Sequence, residues 1–318
     1  MSRCILKKIY PIITIIIFAL LIKFYFENNV DDFSFVKKIR VETVLTIIIL
    51  SFFYLITEGI LLKRIVLYIG KKTSLLECFL VMNFTYFCNT FIQFTGLGYR
   101  IYYLKKNNKI NIKDFIRFSI DTIICELLVF SFFGILFLFI FNLFVKEFNL
   151  NIFVYFIFLT LFIISVIYIF LLNYIVKFLR SVLKKINIRF FNKIFNFFLI
   201  QKSNKFKFYI NQIRVFILQY LILFLIFFFI LKEIGQINYV SLAFLTTSFV
   251  DFSFLFAITP YSVGISEIFT FFGTKGLNFS IAEIIVLINF FRLSMIFLYF
   301  IIGPIFFMTT ILRNKDGM

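Results

Sequence analysis

The sequence predicts an all-α, polytopic integral membrane protein, and three observations predict it. Apolar residues make up 62 % of the chain and 55 of them are Phe, more apolar surface than a soluble core needs. These residues gather into runs that approach the roughly 20 residues a helix needs to cross a bilayer. The basic residues, which leave a net charge of +18, sit mostly between the runs. That is the distribution of cytoplasmic loops on an anionic leaflet, and it argues against a nucleic-acid partner. The excess of Phe, Ile, Lys, Asn and Tyr also fits AT-rich coding, so no single Phe is read as functional.

Taken in order, the apolar runs fall near 9–26, 42–62, 75–95, 115–144, 151–176, 212–231, 239–259 and 281–312. The first starts basic but is followed by no small-residue cleavage site, so it reads as a retained helix and not a removed signal peptide. A basic stretch near 177–211, containing "KFLRSVLKKINIRFFNKIF", repeats apolar residues every three or four positions. It reads as an amphipathic helix in the membrane interface. If all eight runs crossed, the Lys and Arg of 100–117 and 177–214 would share one side and those of 63–72 the other. If 75–95 and 239–259 dip in and return, the basic residues of 1–8, 63–72, 100–117, 177–214 and the tail all gather on one side, as cytoplasmic retention favours. The expected architecture is therefore about six spanning helices plus two re-entrant broken helices in an inverted-repeat arrangement. It forms a single transmembrane domain over 1–318 with its N-terminus in the cytoplasm.

The candidate functional residues lie at the two breaks and in the last helix. The first broken segment carries Asn89 and Gln93 in an apolar run, then Gly96, Gly98 and Arg100. Small residues that expose backbone N–H groups beside a guanidinium suit phosphate binding, although an ordinary glycine turn with an anchoring arginine explains them too. The second carries Asp251 inside an apolar run, then "TPYSVGISE" at 259–267. Pro260 removes a backbone donor and Gly264 permits an unusual turn, so the helix is expected to stop within the membrane. An acid at that depth costs about 2.5–3.5 kcal/mol on insertion scales and faces a partner or a cavity, which makes Asp251 a candidate. In the last helix Ser280 and Glu283 have capping-box spacing. Asn289 and Arg292 lie three apart on one face, and an arginine so far into an apolar helix must find an acid, a carbonyl or a phosphate. Glu267 is the expected partner of Arg292. Asp121 and Glu126, five apart in one helix, do not share a narrow face.

The sequence has no histidine, and its four cysteines form no CxxC pair. No cofactor, zinc site or imidazole base is expected.

These segments resemble a known family. "FTGLGYRIYYLKKNNKINIKDF", "ITPYSVGISEIF" and "NFFRLSMIFLYFIIGPIFF" are similar to the arginine segment, the Pro-x-x-x-Gly-x-x-Glu motif and the closing helix of the lysylphosphatidylglycerol synthase transmembrane domain, also called the flippase-like domain. The resemblance spans about 45–312. It departs where the family commonly has Pro-Gly-Gly and this chain has Pro260-Tyr261-Ser262. It implies translocation of a lipid with a phosphate-bearing head group, by a stand-alone domain that is not an enzyme and lacks the soluble aminoacyl-transferase part. The expected partners are anionic or phosphate-bearing lipids, with a second copy of the chain or an envelope-lipid enzyme as candidate protein partner. The expected location is the bacterial inner membrane. The expected lipid-contacting residues are Asn89, Gly96, Gly98, Arg100, Asp251, Pro260, Gly264, Glu267, Asn289 and Arg292. The competing reading is a membrane glycosyltransferase that uses a polyprenyl-phosphate sugar, with Asp31 or Asp32 as its outer-loop acid.

Overall fold

The computed structural model describes residues 39–91, 94–144, 152–171, 205–236, 239–254, 265–274 and 280–315. Among these the secondary structure is helical throughout: α1 (Val41–Tyr68), α2 (Leu75–Phe91), α3 (Thr95–Asn108), α4 (Ile112–Phe144), α5 (Ile152–Val166), α6 (Lys205–Ile234), α7 (Tyr239–Phe254), α8 (Ile265–Thr274) and α9 (Ile281–Lys315). A π-helical turn, Ile167–Leu171, continues α5. Among the described residues five stretches are long and apolar enough to cross a membrane, and they lie in α1, α4, α5, α6 and α9. In hydrocarbon every backbone polar group must be satisfied within the chain, which a helix does for itself. The protein is a polytopic integral membrane protein. The apolar run at 9–26, the acids Asp31 and Asp32, and most of the basic stretch near 177–211 lie outside the described residues.

Interhelix contacts fix the order of the bundle ends. Tyr68, at the end of α1, packs its ring 4.9 Å from Phe118 near the start of α4 and 4.8 Å from Phe208 near the start of α6. At the other end Arg40, preceding α1, pairs with Glu233 in the last turn of α6 at 3.0 Å. Gln236, just past α6, donates to Glu283 in the first turn of α9. So α1 and α6 run antiparallel, and α9 starts where α6 ends.

Two helical hairpins follow from that order. Between α1 and α4 the chain makes α2 and α3. Glu77 at the start of α2 accepts hydrogen bonds from Tyr103 and Asn108 at the end of α3, each at 3.4 Å. The α2–α3 pair therefore returns to the end it left. Between α6 and α9 the chain makes α7 and α8, and the Gln236–Glu283 bond brings the two flanking ends together at the opposite end of the bundle. α2 has 17 residues and α7 has 16, so each rises about 25 Å at 1.5 Å per residue. α9 runs past both hairpins, since Arg292 meets α8 whereas Phe306 packs 5.6 Å from Phe84 of α2 and 5.6 Å from Tyr103 of α3.

Lipid tails are as apolar as leucine, so helices in a membrane associate through close packing, small residues and interhelical hydrogen bonds. Gly59 of α1 lies so close to α2 that an added Cβ would sit 2.8 Å from the Phe79 Cα. Ser51 and Ser294 hydrogen-bond across α1 and α9 at 2.6 Å. Tyr220 of α6 donates to the Phe244 carbonyl of α7 at 3.0 Å. The α6 core stripe, Leu223, Ile226, Phe227, Ile230 and Leu231, is fully buried.

The structure corrects one boundary. The helix expected at 212–231 begins at Lys205, so the end of the basic stretch belongs to a spanning helix rather than to an interfacial one. Phe208, Tyr209 and Gln212 are buried there, and Lys205 is held 3.4 Å from the buried carboxylate of Asp121. Tertiary partners, invisible in the local pattern, extend the helix.

Candidate functional site

Arg292 meets several described residues of α8 and α9. It sits on α9, three turns past a start fixed by the predicted capping box. The Ser280 amide donates to Glu283 at 2.8 Å and the Glu283 amide donates to the Ser280 hydroxyl at 3.2 Å. The Arg292 side chain is 3 % exposed. Its Nη1 donates to Glu267 and its Nη2 to Ser266, and Nη2 also reaches the second Glu267 oxygen at 3.1 Å. Asn289 Oδ1 accepts from Nη1 at 3.4 Å. The guanidinium is thus clamped by the first turn of α8, in a bidentate geometry that lysine cannot reproduce. Pro260 and Gly264, the expected cause of the break before α8, lie outside the described residues.

Arg100 is placed differently. It lies on α3, half-buried, where Nη1 donates to the Met82 thioether at 3.0 Å and Nε has no hydrogen-bond partner. The guanidinium also stands over the Phe115 ring, 5.7 Å from its centroid. A thioether is a weak acceptor. No carboxylate among the described residues is in ion-pair contact with it, although Glu58 and Tyr86 lie within its electrostatic reach.

The turn before Arg100 is not the glycine turn the sequence suggests. The left-handed residue is Phe94, with φ of 68°. Gly96 lies within α3, and its N–H is already donated to Asn89 Oδ1 at 2.8 Å. The Gly98 N–H is donated to the Phe94 carbonyl at 3.2 Å. Neither amide is presented to an anion. Gly96 is small because a Cβ there would collide with the Thr85 carbonyl of α2, so its role is to let the two limbs of the hairpin touch. Gln93 lies outside the described residues.

Glu58, Gln219 and Tyr86 form a polar cluster across three helices that single segments did not disclose. Glu58 of α1 accepts from Gln219 of α6 at 2.8 Å and from Tyr86 of α2 at 2.9 Å. Glu126 of α4 and Asp251 of α7 are further acids within the apolar helices. Asp251 is 2 % exposed, and among the described residues it makes no hydrogen bond or ion pair. Glu58 and Gln219 each interrupt an apolar helix, so the rule that singled out Asp251 applied equally to them. Asp121 belongs elsewhere. It ties the start of α4 to α5 and α6, through Tyr168 at 2.9 Å, Tyr209 at 3.1 Å and Lys205.

The described cysteines, Cys78, Cys88 and Cys125, are free thiols. The described residues include no group of acids and cysteines that could hold a metal ion.

Two helical hairpins entering opposite ends of the described bundle, each with an arginine beside it, match the order of the three motifs. A family model for the lysylphosphatidylglycerol synthase TM region matches residues 12–303. The chain belongs to this family. No curated protein and no solved structure matches it. Membership of the family connects the chain with membrane lipids.

Proposed function

We propose that the protein is a flippase-like lipid translocase that moves a phosphate-bearing lipid between the leaflets of the bacterial cytoplasmic membrane, and that it is a transporter and not an enzyme. The observation that carries this reading is Arg100. A guanidinium inside a membrane bundle needs an anion, and among the described residues Arg100 has only a thioether and a ring in direct contact. A lipid phosphate supplies the missing acceptors in bidentate form.

Arg292 offers the second basic site, beside the hairpin from the other end. There the phosphate must displace Glu267. The lipid passes from one guanidinium to the other while its tails stay in the bilayer. The hairpins supply the broken helices that such passages use. The end carrying Lys71, Lys72, Lys105, Lys106, Lys109, Lys113 and Lys205 is the basic one, and we place it in the cytoplasm. With the run at 9–26 as a crossing helix, the N-terminus is cytoplasmic as well.

The test is a reconstituted scrambling assay with fluorescent anionic and zwitterionic lipids. Arg100→Ala and Arg292→Ala are each expected to reduce anionic-lipid transfer at least tenfold, a loss of about 1.4 kcal/mol, with the protein still folded. Two variants that transport like the wild type would remove the arginines, and this reading, from the mechanism. The glycosyltransferase reading depends on Asp31 and Asp32. Replacing both with Asn is expected to leave lipid movement unchanged, and complete loss in a correctly inserted variant favours the enzyme.

A further inference from the structure

We infer that the lipid head group travels between the basic end of the bundle and Arg100 along a polar stripe of α6, made by Lys205, Gln212 and Gln219, and that α5 is the cover of this stripe. The inference rests on the translocase reading and adds its route.

Lys205, Gln212 and Gln219 follow one another at intervals of seven residues, close to two helical turns, so they share one face of α6 over about 21 Å. Each meets a polar group on a neighbouring helix. The Lys205 ammonium lies 3.4 Å from Asp121 Oδ1 of α4. Gln212 donates to the Thr122 hydroxyl of α4 at 3.4 Å, and Gln219 donates to Glu58 of α1 at 2.8 Å. Both glutamines are buried. The stripe ends beside the first arginine. Tyr86, which also donates to Glu58, lies four residues past Met82 on α2, and Met82 accepts from Arg100 Nη1. Residues four apart on a helix are neighbours on one face.

Adhesion between helices accounts for the atoms that are paired. It does not account for Asp121 Oδ2 and Gln212 Oε1, which are buried and have no hydrogen-bond partner among the described residues. An unmatched buried acceptor is costly, and apolar side chains of the same shape would join the helices without that cost. A passing head group uses both kinds of atom. Its phosphate oxygens accept from Lys205 and from the glutamine amides. Hydroxyls on the head group donate to the two unmatched oxygens.

α5 closes the stripe. Among the described residues it is the least enclosed of the five spanning stretches, with 17 % of its length buried against 33–56 % for the others. Near its start it is packed, with the Phe158 ring 5.2 Å from Phe249 of α7. Near its end the hydrogen bond to another helix is that of Tyr168, which donates to Asp121 Oδ1 at 2.9 Å. Tyr168 stands in the π-helical turn Ile167–Leu171, a rare distortion that concentrates at functional sites. Tyr209 and Lys205 of α6 reach the same oxygen, so one carboxylate joins α4, α5 and α6. A lipid phosphate that takes Lys205 removes the cation from this carboxylate. A buried carboxylate without its cation is destabilised, and parting α5 from α4 and α6 lets water reach it. The head group then enters the stripe while the tails stay in the opened seam.

The test measures transfer of fluorescent phosphatidylglycerol in proteoliposomes of the purified full chain, with the thermal midpoint of each variant read in detergent. Gln212→Leu fills nearly the same space without polar atoms. It is expected to cut transfer about tenfold, a step of about 1.4 kcal/mol, without lowering the midpoint, because it removes a head-group contact and an unmatched oxygen together. Tyr168→Phe deletes only the hydroxyl that holds α5, and it is expected to raise transfer severalfold. With Cys4, Cys78, Cys88 and Cys125 replaced, Asp121→Cys combined with Tyr168→Cys makes the cover reversible. Bridging the two thiols with a short cleavable reagent is expected to stop transfer, and a reductant to restore it. A Gln212→Leu variant that transfers like the wild type, or that loses transfer only together with its midpoint, overturns the stripe. A Tyr168→Phe variant that is unchanged or slower, or a bridged protein that still transfers, overturns the cover. These outcomes leave the translocase reading standing while the wild type transfers lipid and Arg100→Ala does not. A wild type that moves no lipid removes that reading, and the route with it.

Discussion

Glu267 and Arg292 are 25 positions apart, yet each is positioned by a helix start. Glu267 lies in the first turn of α8 and Arg292 lies three turns after the Ser280–Glu283 cap. Removing one member of a buried pair leaves the other charge unbalanced, at a cost of about 3–5 kcal/mol. Glu267→Ala should therefore lower the thermal midpoint in detergent clearly, with Glu267→Gln falling between it and the wild type. An alanine variant that melts with the wild type would show that the clamp contributes nothing to stability. Arg292→Lys should fail to restore anionic-lipid transfer to Arg292→Ala, because one ammonium cannot reproduce the two-nitrogen grip on Glu267 and Ser266. Gly96→Ala is argued from packing alone. Its Cβ has no room against the Thr85 carbonyl, and backbone cannot swing aside as a side chain can. A loss of about 1–3 kcal/mol is expected, read as a lower midpoint.

At the scale of elements the two hairpins make the topology testable. Each returns to the end it left. With the native cysteines replaced, single cysteines at Lys71 and Lys109, which flank α2–α3, should be labelled from the same face by a membrane-impermeant reagent. Cysteines at Lys232 and Ser280, which flank α7–α8, should be labelled from the opposite face. Labelling of Lys71 and Lys109 from different faces would mean that the first hairpin crosses. Much of this element order was legible in the sequence. Counting Lys and Arg separated segments that dip from segments that cross, because charge asymmetry is a property of loops and survives ignorance of contacts. The boundary at Lys205 was not legible, since helix ends answer to tertiary partners such as Lys205–Asp121.

At the scale of the whole molecule, charge and depth are organised together. Basic residues collect at one end, Arg100 lies inside the bundle without an ion pair among the described residues, and the outer surface is apolar, as on α5, where Phe156, Ile163 and Ile164 are exposed. This arrangement predicts selectivity. In proteoliposomes of mixed composition an anionic lipid should cross faster than a zwitterionic one, and the preference should shrink in Arg100→Ala. Raising the salt concentration should change that preference little, because a guanidinium inside the bundle is poorly screened by ions in the aqueous phase. Loss of the preference in high salt would place the selecting charge on the surface instead.

Apolar run length and the distribution of basic residues by themselves determined that this chain is a helical membrane protein with two short, interrupted segments. Both follow from the cost of exposing backbone and charge to hydrocarbon, a cost paid locally along the chain. The isolated arginines were visible for the same reason. Only the tertiary structure decided who answers whom: that Glu267 clamps Arg292, that Gly96 serves packing beside the left-handed Phe94, and that Gln219 and Tyr86 both donate to Glu58. These are contacts between helices far apart in sequence, and no periodicity along a single helix records the rotation and register at which two helices pack.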